Sequence, residues 1–126
     1  MNIESLTLLN NNEMDYSSLS LKQLESLALG EELFIATSAL SELYCREQIL
    51  AENIAWQILD NFSGDVYLQA TALEIAFNCN QNKTLFFIQQ NFNQFDYYLQ
   101  NIVQELLTEN NLDHQDFMQN RYLSIT

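Results

Sequence analysis

Proline is absent from these 126 residues, and only two glycines, two cysteines, one histidine and four Lys or Arg occur. With no proline, nothing forces a helix to break from within. A hydrolase triad needs a histidine beside its nucleophile, and the single candidate is His114, flanked by Asp113 and Asp116 near the start of an expected terminal helix. That position predicts an exposed surface histidine rather than a general base or ligand. The chain has no H-E-x-x-H pair, no glycine-rich phosphate loop and no nucleophile elbow. Glu31-Glu32 and Glu47/Glu52 do not recur as the E-x-x-H units of di-iron bundles, and they read as solvated acidic helix faces. The sequence thus predicts a non-enzymatic protein with neither metal nor other cofactor.

Positive charge is equally scarce. Lys22, Arg46, Lys83 and Arg121 are too scattered to neutralise a phosphate backbone, which excludes direct nucleic-acid binding. The same scarcity disfavours docking on an anionic membrane. No run approaches the roughly 18 apolar residues of a membrane span, and the opening MNIESLTLLNNNEMD has no basic leader region. A cytoplasmic protein is expected. Cys45 and Cys79 fall within expected helices without metal-like spacing, so the pair reads as free, buried small hydrophobes.

Acid and apolar residues are what the chain does have. Seventeen Asp and Glu give a formal net charge of −13, and 48% of the residues are apolar, enough for the core of one domain. The acidity has two readings that composition leaves open: plain solubility, or steering of a basic protein partner into encounter. Asn and Gln are also frequent, but they interleave regularly with apolar helix positions, as an ordered chain requires.

Apolar spacing makes the fold all-α. Residues 1–18 read as an irregular lead-in with one short helical turn. Ser20 and Gln23 then fit a capping box, followed by Leu21, Leu24 and Leu27 up to a stop at Gly30. A helix is expected from Glu31 to about Cys45 on Leu33, Ala36, Ala39, Leu40 and Leu43, with Glu31 and Glu32 complementing the dipole in its first turn. A second, Glu47 to Phe62, turns Leu50, Ile54, Ala55, Ile58 and Leu59 inward. After the Asn61–Gly64 turn, Asp65 heads a helix, Asn78–Asn82 forms a polar break, and Lys83 to Phe95 forms the next helix. A further helix runs from Asp96 to about Thr108, and a last, more polar one from Asp113 to Tyr122.

Two internal matches set a period in the low thirties. Ser38-Ala39-Leu40 and Tyr44 recur as Thr71-Ala72-Leu73 and Phe77 at a spacing of 33. Asp65-Val66-Tyr67-Leu68-Gln69 recurs as Asp96-Tyr97-Tyr98-Leu99-Gln100 at a spacing of 31. Two helices per period mark an α-solenoid, because one helix pair cannot bury its apolar faces alone and stacked pairs can. With small residues in mid-helix (Thr37-Ser38-Ala39-Leu40 and Ala70-Thr71-Ala72-Leu73), the segment Glu31–Leu107 resembles HEAT-type repeats. The resemblance implies a short right-handed α-solenoid with terminal capping helices. The whole chain, 1–126, is then one helical-repeat domain with units at about 31–62, 65–95 and 96–123. In size, charge and repeat type the chain is similar to immunity proteins of bacterial toxin systems, which implies an inhibitor of a basic toxin or nuclease. It also resembles the HEAT-like subunits of bilin lyases, which implies an accessory role toward phycobiliproteins. A self-associating structural protein is a third reading.

Partner-binding residues are sought opposite the inward stripes. On Glu47–Phe62, Ile49 and Trp56 project about 150° or more from the centre of the inward stripe of Leu50, Ile54 and Ile58 with Ala55 and Leu59, at roughly 100° per residue. Asn53 and Asp60 share that face and Glu52 flanks it; in the next unit Phe87 opposes Leu85, Ile88 and Phe92. Second helices of such solenoids line one face, so Trp56 and Phe87 are candidate neighbours in an aromatic hot spot ringed by acids. The competing reading packs Trp56 beneath the N-terminal segment or a capping helix.

Overall fold

The computed structural model describes residues 15–32 and 34–112. The start of the expected lead-in, Leu33, His114, Arg121 and the expected helix Asp113–Tyr122 lie outside the described residues. Those described form six α-helices and no strand: α1 (Leu21–Ala28), α2 (Ile35–Arg46), α3 (Gln48–Asn61), α4 (Val66–Cys79), α5 (Gln81–Asn91) and α6 (Tyr97–Glu109). Short 3-10 turns at Tyr16–Ser18 and Phe92–Gln94 supplement them. No helix among the described residues is long and apolar enough to cross a membrane. The chain divides into two compact units, one ending at Ile75 and the other beginning at Ala76, so that the boundary falls within α4.

In the first unit, the Tyr16–Ser18 turn and α1 pack on α2, and α2 packs on α3. The capping box at Ser20 forms as its sequence predicts. The Ser20 hydroxyl oxygen accepts the Gln23 N–H at 3.1 Å, and Gln23 Oε1 accepts the Ser20 N–H at 2.9 Å. Leu24, Leu27, Ala36, Ala39, Leu40 and Leu43 are buried. Arg46, in the last turn of α2, donates from Nη1 to the Leu19 carbonyl at 2.6 Å, fixing the entry to α1 against the exit of α2.

The helix expected from Glu31 starts four residues later. Phe34 adopts φ 67°, ψ −39°, close to the rare γ-turn region, and helical bonding runs on only from Ile35. Glu31 and Glu32 therefore belong to the connection and not to the first turn of α2. The expected dipole role for these acids is corrected accordingly. Cys45 is exposed and Cys79 half-buried, neither in a disulfide, contrary to the burial expected of them. Cys45 sits two residues after Leu43, about 200° round the helix from the buried stripe.

The spacings of 33 and 31 each have a local counterpart in backbone geometry. Glu47 alone connects α2 to α3, at φ −150°, ψ 89°; Asn80 alone connects α4 to α5, at φ −153°, ψ 85°. Each ends one helix by donating its N–H to the carbonyl four residues back (Leu43, Ala76) and starts the next by accepting from the N–H four residues on (Ala51, Thr84). One extended residue thus serves as C-cap and N-cap together. The polar break expected over Asn78–Asn82 shrinks to this single residue. Asn80 can manage it because its side chain also accepts the Lys83 N–H at 3.2 Å and its carbonyl takes the hydroxyl of the buried Thr84 at 2.8 Å.

The spacing of 31 carries a different device. Asp65 Oδ1 accepts the Leu68 N–H, and Asp96 Oδ1 accepts the Leu99 N–H, both at 2.9 Å. Leu68 and Leu99 are buried, and the glutamine next to each reaches back to the end of the preceding helix. Gln69 Nε2 donates to the carbonyls of Phe62, Ser63 and Gly64 at 3.2–3.3 Å, and Gln100 Nε2 to that of Phe92 at 3.0 Å. Each five-residue match is thus a cap, a core anchor and a tether.

Helix ends make the remaining turns. At the end of α3, the Ser63 N–H bonds to the Ile58 carbonyl and the Phe62 N–H to that of Leu59, a Schellman arrangement with Phe62 in the left-handed conformation. Asn111 fills the same place after α6, with Leu112 N–H to Leu107 O and Asn111 N–H to Thr108 O. Asparagine tolerates that backbone; phenylalanine rarely takes it. Gly64 follows at φ 74°, where an added Cβ would stand 2.5 Å from Leu68 Cδ2. In the second unit, α5 buries Thr84, Leu85 and Ile88, and α6 buries Leu99, Val103, Leu106 and Leu107.

Candidate functional site

Helix α3 carries five of the six residues singled out from sequence, and the structure sorts them into two groups. Ile49 is 74% exposed, and Asn53 and Asp60 are exposed on the same face. Trp56 is not open beside them. Only 7% of it is exposed, and its Nε1 donates to Glu52 Oε2, one helical turn back, at 3.1 Å. Trp56 is therefore buried, and its place in an exposed aromatic hot spot is corrected.

The cause lies in which residues centre the buried arc. Ala51 and Ala55 are fully buried together with Ile54, Ile58 and Leu59, while Leu50, expected inward, is only half-buried. Small alanines let a neighbouring element approach closely, so the arc centres on their side of the helix. Against the expected inward set of Leu50, Ile54, Ala55, Ile58 and Leu59, the buried arc loses Leu50 and gains Ala51 and Trp56, a shift of roughly 40° at about 100° per residue. It carries Trp56 to the buried margin and leaves Ile49, Asn53 and Asp60 facing out.

Phe87 belongs to the second unit. It is half-buried on α5, its ring centroid 6.0 Å from that of Phe95 at an interplanar angle of 34°. Phe95 in turn meets Phe92 edge-on at 6.3 Å. Such tilted and edge-on pairs are the arrangements that aromatic quadrupoles favour. Phe87 is thus the outer member of a packed aromatic group in its own unit.

The first unit also contains a concave site that periodicity did not suggest. The α1–α2 connection and the α3–α4 turn enclose a cleft of about 470 Å³. Glu31, Glu32 and Asp65 supply carboxylates, and Leu29, Phe34 and Leu68 supply apolar surface. Phe34 is 59% exposed. The two segments forming the walls are also those in which a phenylalanine, Phe34 or Phe62, takes a positive φ. Side chains rarely adopt such backbone, and where it persists the surrounding structure holds it. Neither conformation is visible in a hydrophobic pattern. The signal for it in the residues is two acids, Glu31 and Glu32, close to Phe34 just after Gly30.

The chemistry of the cleft is that of an anionic pocket with an aromatic wall. No Lys or Arg among the described residues lines it. Among the described residues, no group of three His, Cys, Asp or Glu is placed to hold a metal ion. No protein family, curated protein or solved structure matches the chain.

Proposed function

We propose that this chain is a non-enzymatic protein-binding module, an immunity-type inhibitor that engages a basic toxin or nuclease, built as a short right-handed solenoid of HEAT-like helix pairs. The observation that carries the binding role is the outer face of α3, where Ile49 stands 74% exposed between elements of a chain with net charge −13. A large aliphatic side chain held in water beside Asn53 and Asp60 supplies contact area, and the surrounding carboxylates steer encounter. In support of the repeat reading, single-residue helix connections recur at Glu47 and Asn80, and the Asp-to-Gln device recurs at Asp65 and Asp96. Trp56 acts in this reading from beneath the face, holding Glu52 in place.

The test is affinity capture with the wild type and Ile49→Asp in parallel, followed by kinetics on the protein identified. A basic protein retained by the wild type, lost by the variant, and associating many-fold more slowly as salt rises from 50 to 500 mM supports the reading. An acidic partner, or equal retention by Ile49→Asp, refutes it. Self-association has an observation of its own: Tyr97 is 78% exposed and Tyr98 is also exposed at the start of α6. Sedimentation that shows a concentration-independent monomer removes that alternative.

A further inference from the structure

The geometry points to the cleft between the α1–α2 connection and the α3–α4 turn as a docking pocket for an arginine side chain of the partner protein. The inference rests on the reading that the partner is basic, and adds where and through which group it is held. Three features of the cleft suit a guanidinium in particular.

The first is charge. Glu31, Glu32 and Asp65 line the cleft, and among the described residues no Lys or Arg does, so an incoming positive group meets carboxylates and no opposing cation. Asp65 keeps an oxygen free for this, since its cap engages Oδ1 with the Leu68 N–H. Glu31 and Glu32 are exposed and can turn toward a ligand. The second is the number of carboxylates on the lining. A planar guanidinium with five N–H donors can bond more than one of Glu31, Glu32 and Asp65 at once. The third is Phe34, exposed on the wall, over whose face a guanidinium can stack. A volume of about 470 Å³ suits a side chain with its flanking backbone, within the roughly 300–1,000 Å³ of small-ligand sites. A lysine would gain the charge interaction but neither the forked hydrogen bonding nor the planar stacking.

The backbone of the cleft is braced for such a role. Gln69 ties the carbonyls of Phe62, Ser63 and Gly64 together, so the α3–α4 wall is held by side-chain bonds independent of any ligand. On the opposite wall, the Ala36 N–H bonds to the Glu32 carbonyl and the Ser38 N–H to that of Phe34, which sets both residues relative to α2.

The experiment uses the full chain, labelled with ¹⁵N, and a blocked peptide, acetyl-Gly-Arg-Gly-Arg-Gly-amide, at low salt. Its neutral citrulline counterpart and its lysine counterpart serve as comparisons. Saturable amide shifts centred on Gly30–Thr37 and Ser63–Leu68 are expected with the arginine peptide. They should vanish with citrulline and weaken several-fold with lysine. The Glu31→Gln/Glu32→Gln double variant, at exposed positions outside any helix, should weaken binding about tenfold, and Phe34→Ala several-fold, each with an unchanged helical signal. Saturable shifts on the Ile49–Asp60 face instead would overturn the cleft and leave the basic-partner reading standing. Diffuse shifts without saturation, or binding unaffected by the double variant, overturn the cleft as well. The basic-partner reading fails separately, on an acidic captured partner.

Discussion

Replacing Trp56 by alanine separates a core residue from a binding anchor, because the two roles predict opposite outcomes for stability. The side chain is 7% exposed, so nearly all of the indole leaves water on folding. Deleting a fully buried Trp or Phe typically costs about 3–5 kcal/mol. Trp56 lies at the margin of the buried arc on α3, which places the expected loss near the lower end, about 3 kcal/mol. The bond to Glu52 contributes a small share of that. It links positions one turn apart on a single helix, and Glu52 is half-exposed, so about 0.5–1 kcal/mol is expected from it. Trp56→Phe, which keeps most of the apolar area, should therefore lose much less than Trp56→Ala.

Urea unfolding followed by circular dichroism at 222 nm measures both. With a slope near 1.5 kcal/mol per molar, within the ordinary range for small proteins, a loss of about 3 kcal/mol moves the midpoint down by about 2 M. The chain has one tryptophan, so its fluorescence supplies an independent check. The emission should be blue-shifted in the native state and resistant to iodide quenching. A midpoint shift under about 0.5 M, together with readily quenched emission, would refute the packing described for Trp56 and restore it as an exposed anchor.

Asp96→Ala removes the cap on α6 and should cost about 1 kcal/mol, with Asn80→Ala similar, read from the same urea curves. Asp96→Asn, which can still accept the Leu99 N–H, should recover most of the loss. Tyr16 holds its proton above the ordinary phenol range because burial disfavours the phenolate, while a hydrogen bond with Ser38 pulls the other way. The unfolded chain therefore releases this proton first as pH rises. The stability associated with Tyr16 is complete below an unfolded value of about 10 and declines above it. Comparing urea midpoints at pH 9 and pH 11 should show a steeper fall for the wild type than for Tyr16→Phe, and equal falls would contradict the burial.

Features that depend on near neighbours in the chain were legible in the residues. The Ser20–Gln23 box, the stop near Gly30, the start of α6 at Asp96 and the extent of α3 all follow from contacts within about four positions. The internal matches at 33 and 31 were legible too, although their physical content was not. Sequence aligns Ser38-Ala39-Leu40 with Thr71-Ala72-Leu73, yet the single-residue helix connection at that spacing belongs to Glu47 and Asn80, whose side chains differ in charge. A backbone elbow of one residue leaves little trace in composition.

What the sequence determined by itself is the helical class, the helix boundaries marked by capping side chains, and a charge that leaves almost no cation to oppose the acids. These are sums of local preferences, and each is decided within a turn of helix. The tertiary structure decided which side of each helix is inside. A hydrophobic stripe fixes that direction only loosely, and in α3 the buried arc takes in Ala51 and Trp56 and leaves Leu50 half-buried. It also decided that Glu31 and Glu32 stand in a cleft and not in a helical turn, because Phe34 holds a backbone conformation that no propensity predicts. Close approach between segments distant in the chain selects among faces that local chemistry leaves nearly equal.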